Sequence, residues 1–239
     1  MKAKFEGIKR LLYVLLPLLV FVILYDIWTA VLQYVFGLLF GFGFFGTAGT
    51  LWLKDNSGTF QALCIMGGLI LSFLCLFQLA RMDGFLTPKK EVWKIPVWQY
   101  VVLFIGTAAV TYGFNYLFTV TGFAGNSESY QNVAENQYNV MIWAGLLLYG
   151  VVSPFVEEVI FRGFLYGRMR VYMPKVWAVL VSALLFGIYH GNLVQGIYGF
   201  VMGILFTLVY EKYKNFYLAV FMHMITNLVA YFVQLNGFI

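Results

Sequence analysis

Apolar residues run along this chain in long blocks, and short polar stretches separate the blocks. Most blocks approach the roughly 20 residues that a helix needs to cross a bilayer. We therefore predict an all-α, polytopic membrane helix bundle with about seven transmembrane helices, forming one domain over residues 1–239. The predicted spans cover residues 11–31, 60–80, 97–119, 140–158, 176–191, 195–210 and 216–235.

The composition supports a membrane protein and excludes a soluble one. Hydrophobic residues make up 62% of the chain and charged residues only 10%, and the mean hydropathy is +0.83. Soluble domains carry roughly a quarter charged residues, so this chain cannot cover a surface that faces water. We expect an integral, multi-pass protein of a prokaryotic plasma membrane, with the lipid bilayer as its surroundings.

The basic residues predict the orientation of the bundle. Of the 15 Lys and Arg residues, all except Lys54 lie near alternate ends of the predicted spans. Since Lys and Arg collect in cytoplasmic loops, we predict a cytoplasmic N-terminus and a C-terminus outside. The net charge of +5 reflects this bias and does not indicate nucleic-acid binding. The basic groups lie within residues 2–10, 81–94, 162–175 and 212–214.

The apolar, glycine-rich stretch 32–52 leaves three alternatives open. It could form a second span, continue the first span, or enter and leave the membrane on one side. A full extra span would move the basic residues 81–94 to the outside, which argues against that alternative. No small-residue cleavage site follows the first apolar block, so we interpret this block as an uncleaved anchor.

Few ionisable side chains fall within or at the edges of the predicted spans, and each is costly there. Even lenient insertion scales put a charge at the centre of a membrane helix at about 2.5–3.5 kcal/mol. We therefore expect these side chains to face the interior of the bundle and to serve a function. The candidates are Asp26, Glu157, Glu158, Arg162, His190 and His223, together with the amide of Asn227.

Helical spacing separates the two adjacent glutamates. Glu158 and Arg162 are four residues apart and can form an ion pair across one turn. Glu157 is rotated by about 100° from Glu158 and has no such partner on its own helix. We interpret Glu158 as structural and Glu157 as the carboxylate available for chemistry. Arg162 also lies near the predicted cytoplasmic end, where its side chain could reach the interface. We expect Asp26 to cap or pair near the outer end of the first span.

Both histidines of the chain stand in further one-turn pairs. Phe186 and His190 are four residues apart in "FGIYH", and His223 and Asn227 are four apart in "HMITN". Taken singly, His190 could be a packing residue and Asn227 could join helices through hydrogen bonds. Polar groups on three predicted helices favour a polar cavity among the later helices, because in lipid such groups must satisfy one another or line water.

Together the three motifs resemble the CPBP (Abi) family of intramembrane proteases. This family includes the CAAX-processing endoprotease of prenylated proteins and the bacterial bacteriocin-processing and immunity proteins. The motifs appear in the family's order as "EEVIFR" (157–162), "FGIYH" (186–190) and "HMITN" (223–227). The resemblance covers a core of residues 140–235, whereas residues 1–139 resemble nothing beyond membrane spans.

The resemblance implies an intramembrane endopeptidase that acts on a membrane-associated peptide or protein, prenylated in some relatives. Glu157 would be the general base that activates water, and His190 would hold that water. His223 and Asn227 would stabilise the oxyanion of the tetrahedral intermediate. The residues that support the site would be Glu158, Arg162 and Phe186.

Two mechanisms are compatible with these residue types. Two histidines and one glutamate could bind zinc in the His₂Glu manner, with Glu157, His190 and His223 as ligands. However, the glutamates do not form an HExxH motif, and an amide such as Asn227 is a poor zinc ligand. We therefore expect a glutamate hydrolase without a cofactor, and a zinc-dependent metalloprotease is the alternative.

Two other classes of function compete with a protease. A non-catalytic membrane scaffold or immunity protein could keep the same fold. A proton-coupled transporter could use Glu157 and His190 as relay groups. The chain shows no inverted repeat and no matching pair of interrupted spans, which argues against the transporter.

Overall fold

The computed structural model describes residues 2–41, 45–87 and 95–235, and within these ranges the chain forms helices and no strand. The helices are α1 Lys2–Gly41, α2 Gly46–Asp55, α3 Ser57–Asp83, α4 Val97–Val120, α5 Glu128–Tyr138, α6 Ile142–Tyr172, α7 Lys175–Tyr189, α8 Leu193–Tyr213 and α9 Phe216–Leu235. Within these ranges six helices are long and apolar enough to cross a membrane, namely α1, α3, α4, α6, α8 and α9, and α7 is a shorter apolar helix. The predicted polytopic helix bundle is confirmed, and the chain is an integral, multi-pass membrane protein.

The first helix is much longer than its predicted span. It comprises 40 residues and extends over about 60 Å, twice the thickness of a bilayer core. Residues 32–41 therefore continue the first span, one of the three alternatives that the sequence left open. The short helix α2 packs against its end, where the Phe40 and Trp52 rings lie 5.3 Å apart. Residues 42–44, which were part of the same question, lie outside the described ranges.

The polar connection between α4 and α6 contains a helix that the apolar pattern did not predict. Helix α5 begins after Ser127, whose hydroxyl accepts a hydrogen bond from the Tyr130 backbone N–H at 3.3 Å. It lies against α8 and α9, and Gln234 of α9 donates to the Tyr130 hydroxyl at 2.9 Å. The helix therefore covers one end of the bundle.

Helix α6 continues to Tyr172, so the predicted end of this span at residue 158 is wrong. The helix contains two π-helical segments, Leu148–Val152 and Val159–Tyr166, on either side of the α-helical turn Ser153–Glu158. Pro154 lacks an N–H and its ring crowds the carbonyl four residues earlier, which explains the disturbed pairing in the first segment. Such π-helical turns are rare and often mark functional sites.

Helices α6 and α7 form an antiparallel hairpin that brings its polar residues to one depth. His190 follows directly after the 15-residue helix α7, and Glu157 lies the same number of residues before the end of α6 at Tyr172. Had α6 ended at residue 158, the two side chains would have lain near opposite sides of the membrane. The longer helix removes this conflict.

Helices α7 and α8 approach each other closely through glycines. A Cβ atom on Gly187 would lie 2.5 Å from the Gly196 carbonyl oxygen, and one on Gly203 would lie 3.2 Å from Ala183. Small residues of this kind allow membrane helices to pack at backbone distance. The approach fixes the end of α7, and with it the position of His190.

Candidate active site

Glu158 lies at the centre of the bundle with no exposed surface. Its Oε1 atom is 2.8 Å from an Arg162 guanidinium nitrogen and 2.8 Å from Nδ1 of His223. The predicted ion pair between Glu158 and Arg162 is confirmed. The contact with His223 joins two sequence motifs that are 65 residues apart.

The expectation that Arg162 reaches the interface is wrong, because this side chain is completely buried. Its guanidinium lies 4.3 Å from the centre of the Phe186 ring and 5.3 Å from that of Phe206. A desolvated cation over an aromatic face contributes about 2 kcal/mol. The two rings and Glu158 together explain how a full positive charge is kept inside the bundle.

His223 lies between the two glutamates. Since an ionised carboxylate can only accept hydrogen bonds, Nδ1 of His223 donates to Glu158. Its other nitrogen, Nε2, faces Oε2 of Glu157 at 3.6 Å. This distance is too long for a direct hydrogen bond, so the two groups face each other without bonding directly. The ring also stacks on Phe206 with centroids 4.9 Å apart.

Glu157 differs from its neighbour in being open to a cavity. Its side chain keeps a small exposed fraction, and the Ser153 hydroxyl donates a hydrogen bond to its Oε1 atom. The cavity has a volume of about 400 Å³, which is within the range of ligand-binding sites. Its wall includes Tyr149, Ser153, Glu157, His190, Gln195 and Asn227. The structure thus separates a sealed glutamate from an accessible one.

His190 caps the end of α7 and lines the same cavity as Glu157. Its Nδ1 atom lies 2.8 Å from the Phe186 carbonyl. A carbonyl oxygen only accepts, so Nδ1 carries the proton and Nε2 is left as an acceptor. The Phe186 ring contacts both imidazoles, with centroids 4.9 Å from His190 and 5.5 Å from His223.

Of the two remaining candidates, Asn227 belongs to the cavity wall and Asp26 does not. Asn227 lines the cavity, and its amide nitrogen donates to the Tyr149 carbonyl at 2.9 Å, which joins α9 to α6. Asp26 is exposed on α1 and does not belong to the wall of this cavity, although its neighbour Tyr25 does. The structure therefore gathers every sequence candidate except Asp26 around one site.

Sequence reasoning missed two side chains of this site. Ser153 stands four residues before Glu157, so helical spacing could have revealed it. Phe206 gave no such signal, because one more phenylalanine in an apolar helix is unremarkable in a chain with 25 of them. Its role follows only from the fold, which places it against both His223 and Arg162.

Glu157, His190 and His223, the candidate zinc ligands, do not converge on one point in this structure. In the part of the chain that the structure describes, no three His, Cys, Asp or Glu side chains converge closely enough to hold a metal.

The part of the chain that carries this site matches a known family. Residues 139–229 match the sequence model of the family described as type II CAAX prenyl endopeptidase Rce1-like. The matched region begins just before α6, ends in α9 and contains all three motifs. The resemblance to the CPBP proteases is therefore confirmed over this region.

A named relative extends the similarity. The Bacillus subtilis (strain 168) protein named "Putative membrane peptidase YdiL" is 24% identical over 203 residues, which cover 83% of this chain and 81% of that protein. An alignment of that length includes part of residues 1–139, so the similarity to this relative extends beyond the core of residues 140–235. No solved structure matches the chain. Both matches support a membrane peptidase as the general class, and the bacterial relative agrees with a prokaryotic plasma membrane.

Proposed function

We propose that this chain is an intramembrane endopeptidase that hydrolyses a peptide bond in a membrane-associated peptide or lipidated protein. One observation carries the proposal. Glu157 lies on the wall of a polar cavity with Nε2 of His223 at 3.6 Å, while the adjacent Glu158 is sealed in an ion pair. Two neighbouring carboxylates in such different surroundings are suited to different tasks.

In the proposed reaction Glu157 takes a proton from a water molecule that lies beside it in the cavity. The water oxygen attacks the carbonyl carbon of the substrate, and the carbonyl becomes a tetrahedral oxyanion. Glu157 then gives its proton to the departing amide nitrogen as the C–N bond breaks. General base catalysis of this kind contributes about 10²–10⁴-fold to the rate.

The charges around the site support this division of roles. Glu157 and Glu158 carry two negative charges, and Arg162 supplies one positive charge. A second proton on Nε2 of His223 would balance the cluster and give a charged donor toward the oxyanion. The amide of Asn227 would be the second donor, and one such donor contributes about 10²–10³-fold. Nε2 of His190, an acceptor, would orient the water.

We propose that the reaction proceeds without a metal, because the donors do not converge on one point. A zinc-dependent enzyme is the alternative. Prenylated peptides belong among the substrates to test because the matched family is described as a prenyl endopeptidase. Leader peptides are the other class that the CPBP resemblance suggests.

The experiment compares cleavage of a fluorogenic panel of prenylated and leader peptides by detergent-purified wild type, Glu157→Gln and Glu6→Gln. Glu6 is an exposed glutamate at the start of α1 and provides the matched control. We expect Glu157→Gln to lose at least 10²-fold in kcat/KM with unchanged thermal stability, and Glu6→Gln to keep full activity. Each protein is also assayed with a zinc chelator, which should have no effect.

The other outcomes are equally informative. Activity that the chelator removes and zinc restores would replace the metal-free mechanism with the zinc mechanism. Activity that survives Glu157→Gln would contradict the role of this residue. A well-folded wild type that cleaves no peptide of the panel would favour the scaffold over the enzyme.

A further inference from the structure

The bundle has two chemically different ends, which side-chain contacts define. At one end Arg168 donates to Asp83 and to the Tyr13 carbonyl, each at 2.7 Å, so the ends of α1, α3 and α6 lie together. Arg170 lies 3.7 Å from Glu211, which adds the end of α8. At the opposite end lie α5 and the start of α6. We call these the basic end and the α5 end.

Charge assigns the two ends to the two sides of the membrane. Among the described residues the basic end carries Lys9, Arg10, Arg81, Arg168, Arg170, Lys175, Lys212 and Lys214, whereas Lys54 belongs to the opposite side. A bias of this size identifies the basic end as cytoplasmic. The α5 end therefore faces the outside of the cell.

The cavity extends from Glu157 toward the α5 end. Its wall includes Tyr149 and Ser153, which precede Glu157 on α6, and Tyr231, which follows His223 on α9. It also includes five residues of α5. Toward the basic end the next residues of α6, Phe161, Arg162, Phe164 and Leu165, are packed with no exposed surface. Access to Glu157 is thus closed from the cytoplasm and directed outward.

The wall of the cavity is polar but nearly free of charge. Amide side chains and tyrosines dominate it, Glu157 is its one carboxylate, and neither Lys nor Arg contributes to it in the described structure. The Tyr231 hydroxyl is buried without a hydrogen-bond partner among the described residues. Burial raises the pKa of Tyr138 on α5, which keeps this hydroxyl a neutral donor. Neutral donors and acceptors suit an extended peptide backbone, whereas a free terminal carboxylate would find neither a lysine nor an arginine in the described wall.

We infer that the substrate is an internal, extended peptide segment that reaches the site from the extracytoplasmic side of the membrane, past α5. This inference rests on the proposed peptidase function and adds the side of entry and the type of segment. It separates this chain from a peptidase that trims the free C-terminal tails of cytoplasmic proteins.

The side of entry is tested by cysteine labelling, which needs no activity. In a Cys64→Ala/Cys75→Ala background, one protein carries Gln195→Cys, in the cavity wall, and another carries Lys212→Cys, at the basic end. Both are treated with a membrane-impermeant charged maleimide in right-side-out and in inside-out vesicles. We expect Gln195→Cys to react only in right-side-out vesicles and Lys212→Cys only in inside-out vesicles.

The type of segment is tested by cleavage with the same vesicles. Two fluorogenic peptides share one sequence, and the C-terminus is amidated in one and a free carboxylate in the other. We expect faster cleavage of the amidated peptide by right-side-out vesicles, and loss of cleavage by inside-out vesicles until detergent is added. Glu157→Gln vesicles provide the background.

The results can contradict this inference without contradicting the proposed function, and the reverse also holds. Labelling of Gln195→Cys only from the cytoplasmic side would overturn the inference even if Glu157 proves catalytic. Faster cleavage of the free carboxylate would overturn the preference for an internal segment. Cleavage that Glu157→Gln does not change would refute the proposed function, and outward labelling would still place the cavity opening.

Discussion

In the most apolar 18 residues of each helix, α4 and α6 have the same mean hydropathy of 1.6, and yet one faces lipid and the other is surrounded by protein. Of these 18 residues, 61% are buried inside the bundle in α6, against 11% in α4. The difference lies in a few ionisable residues. Helix α6 carries Glu157, Glu158 and Arg162, which require partners on other helices, whereas α4 has no charged residue.

Hydropathy therefore determines that a segment enters the membrane, and polar side chains determine where it lies in the bundle. A lipid-facing helix gains nothing by exchanging lipid for apolar neighbours, because lipid tails are as apolar as leucine. A helix with charged side chains is more stable when protein surrounds it, because those charges are costly in lipid. Three predictions test this contrast.

The largest effect is expected from Arg162→Met. The variant leaves the buried carboxylate of Glu158 without its cation, and breaking a buried ion pair on one side costs about 3–5 kcal/mol. For a chain of this size each kcal/mol lowers Tm by about 2–4 °C. The measurement is thermal unfolding in detergent, with Arg81→Met as the exposed control.

The double variant Glu158→Gln/Arg162→Met sharpens this test. Removing both charges should recover much of the stability that the single variant loses, because no uncompensated charge remains. Its activity should stay low, since His223 has lost its carboxylate partner. A Tm of Arg162→Met equal to that of Arg81→Met would contradict the importance of the buried pair.

A smaller effect is expected from adding one methyl group to a glycine. Gly187→Ala would place a carbon 2.5 Å from the Gly196 carbonyl oxygen, and such overpacking costs about 1–3 kcal/mol. Gly106→Ala in α4 meets no atom within 4 Å and should stabilise the helix by about 0.5–1 kcal/mol. Opposite shifts of Tm in one assay would support the contrast, and equal shifts would refute it.

The smallest effect is expected where α4 touches the core. The Thr111 hydroxyl lies 3.4 Å from that of Thr226 on α9, and hydrogen bonds between membrane helices average about 0.6 kcal/mol. Thr111→Val should lower stability by about that amount, whereas Thr119→Val on the exposed side of α4 should have no effect. A loss of several kcal/mol would mean that α4 is held by polar contacts after all.

The sequence predicted the parts of the molecule that depend on local spacing. Apolar length indicated every long helix, and the four-residue interval indicated the pairing of Glu158 with Arg162. It did not indicate α5, because that helix is short, polar and held by contacts with α9. The ends of α1 and α6 were wrong because neither helix stops where its most apolar stretch stops.

The contacts between motifs could not be predicted in the same way. Nothing in the spacing shows that His223 bonds to Glu158 or that Phe186 lies against both imidazoles, since these contacts depend on how α6, α7 and α9 pack. The two π-helical segments were not predicted either, because only Pro154 indicated any disturbance of α6. Ionisable residues in the predicted spans supplied the list of candidates, the family resemblance supplied their expected roles, and the fold supplied their arrangement.

The shortness of α7 has a consequence for the surrounding lipid. Its 15 residues extend over only about 22 Å, less than the roughly 30 Å of a typical hydrocarbon core. The membrane beside this helix must thin, or headgroups must sink toward His190, to avoid exposing the polar turn 190–192 to acyl chains. Lipid chain length should therefore change the hydration around His190, and bilayers of different thickness offer a way to vary the water supply of the site without altering any residue.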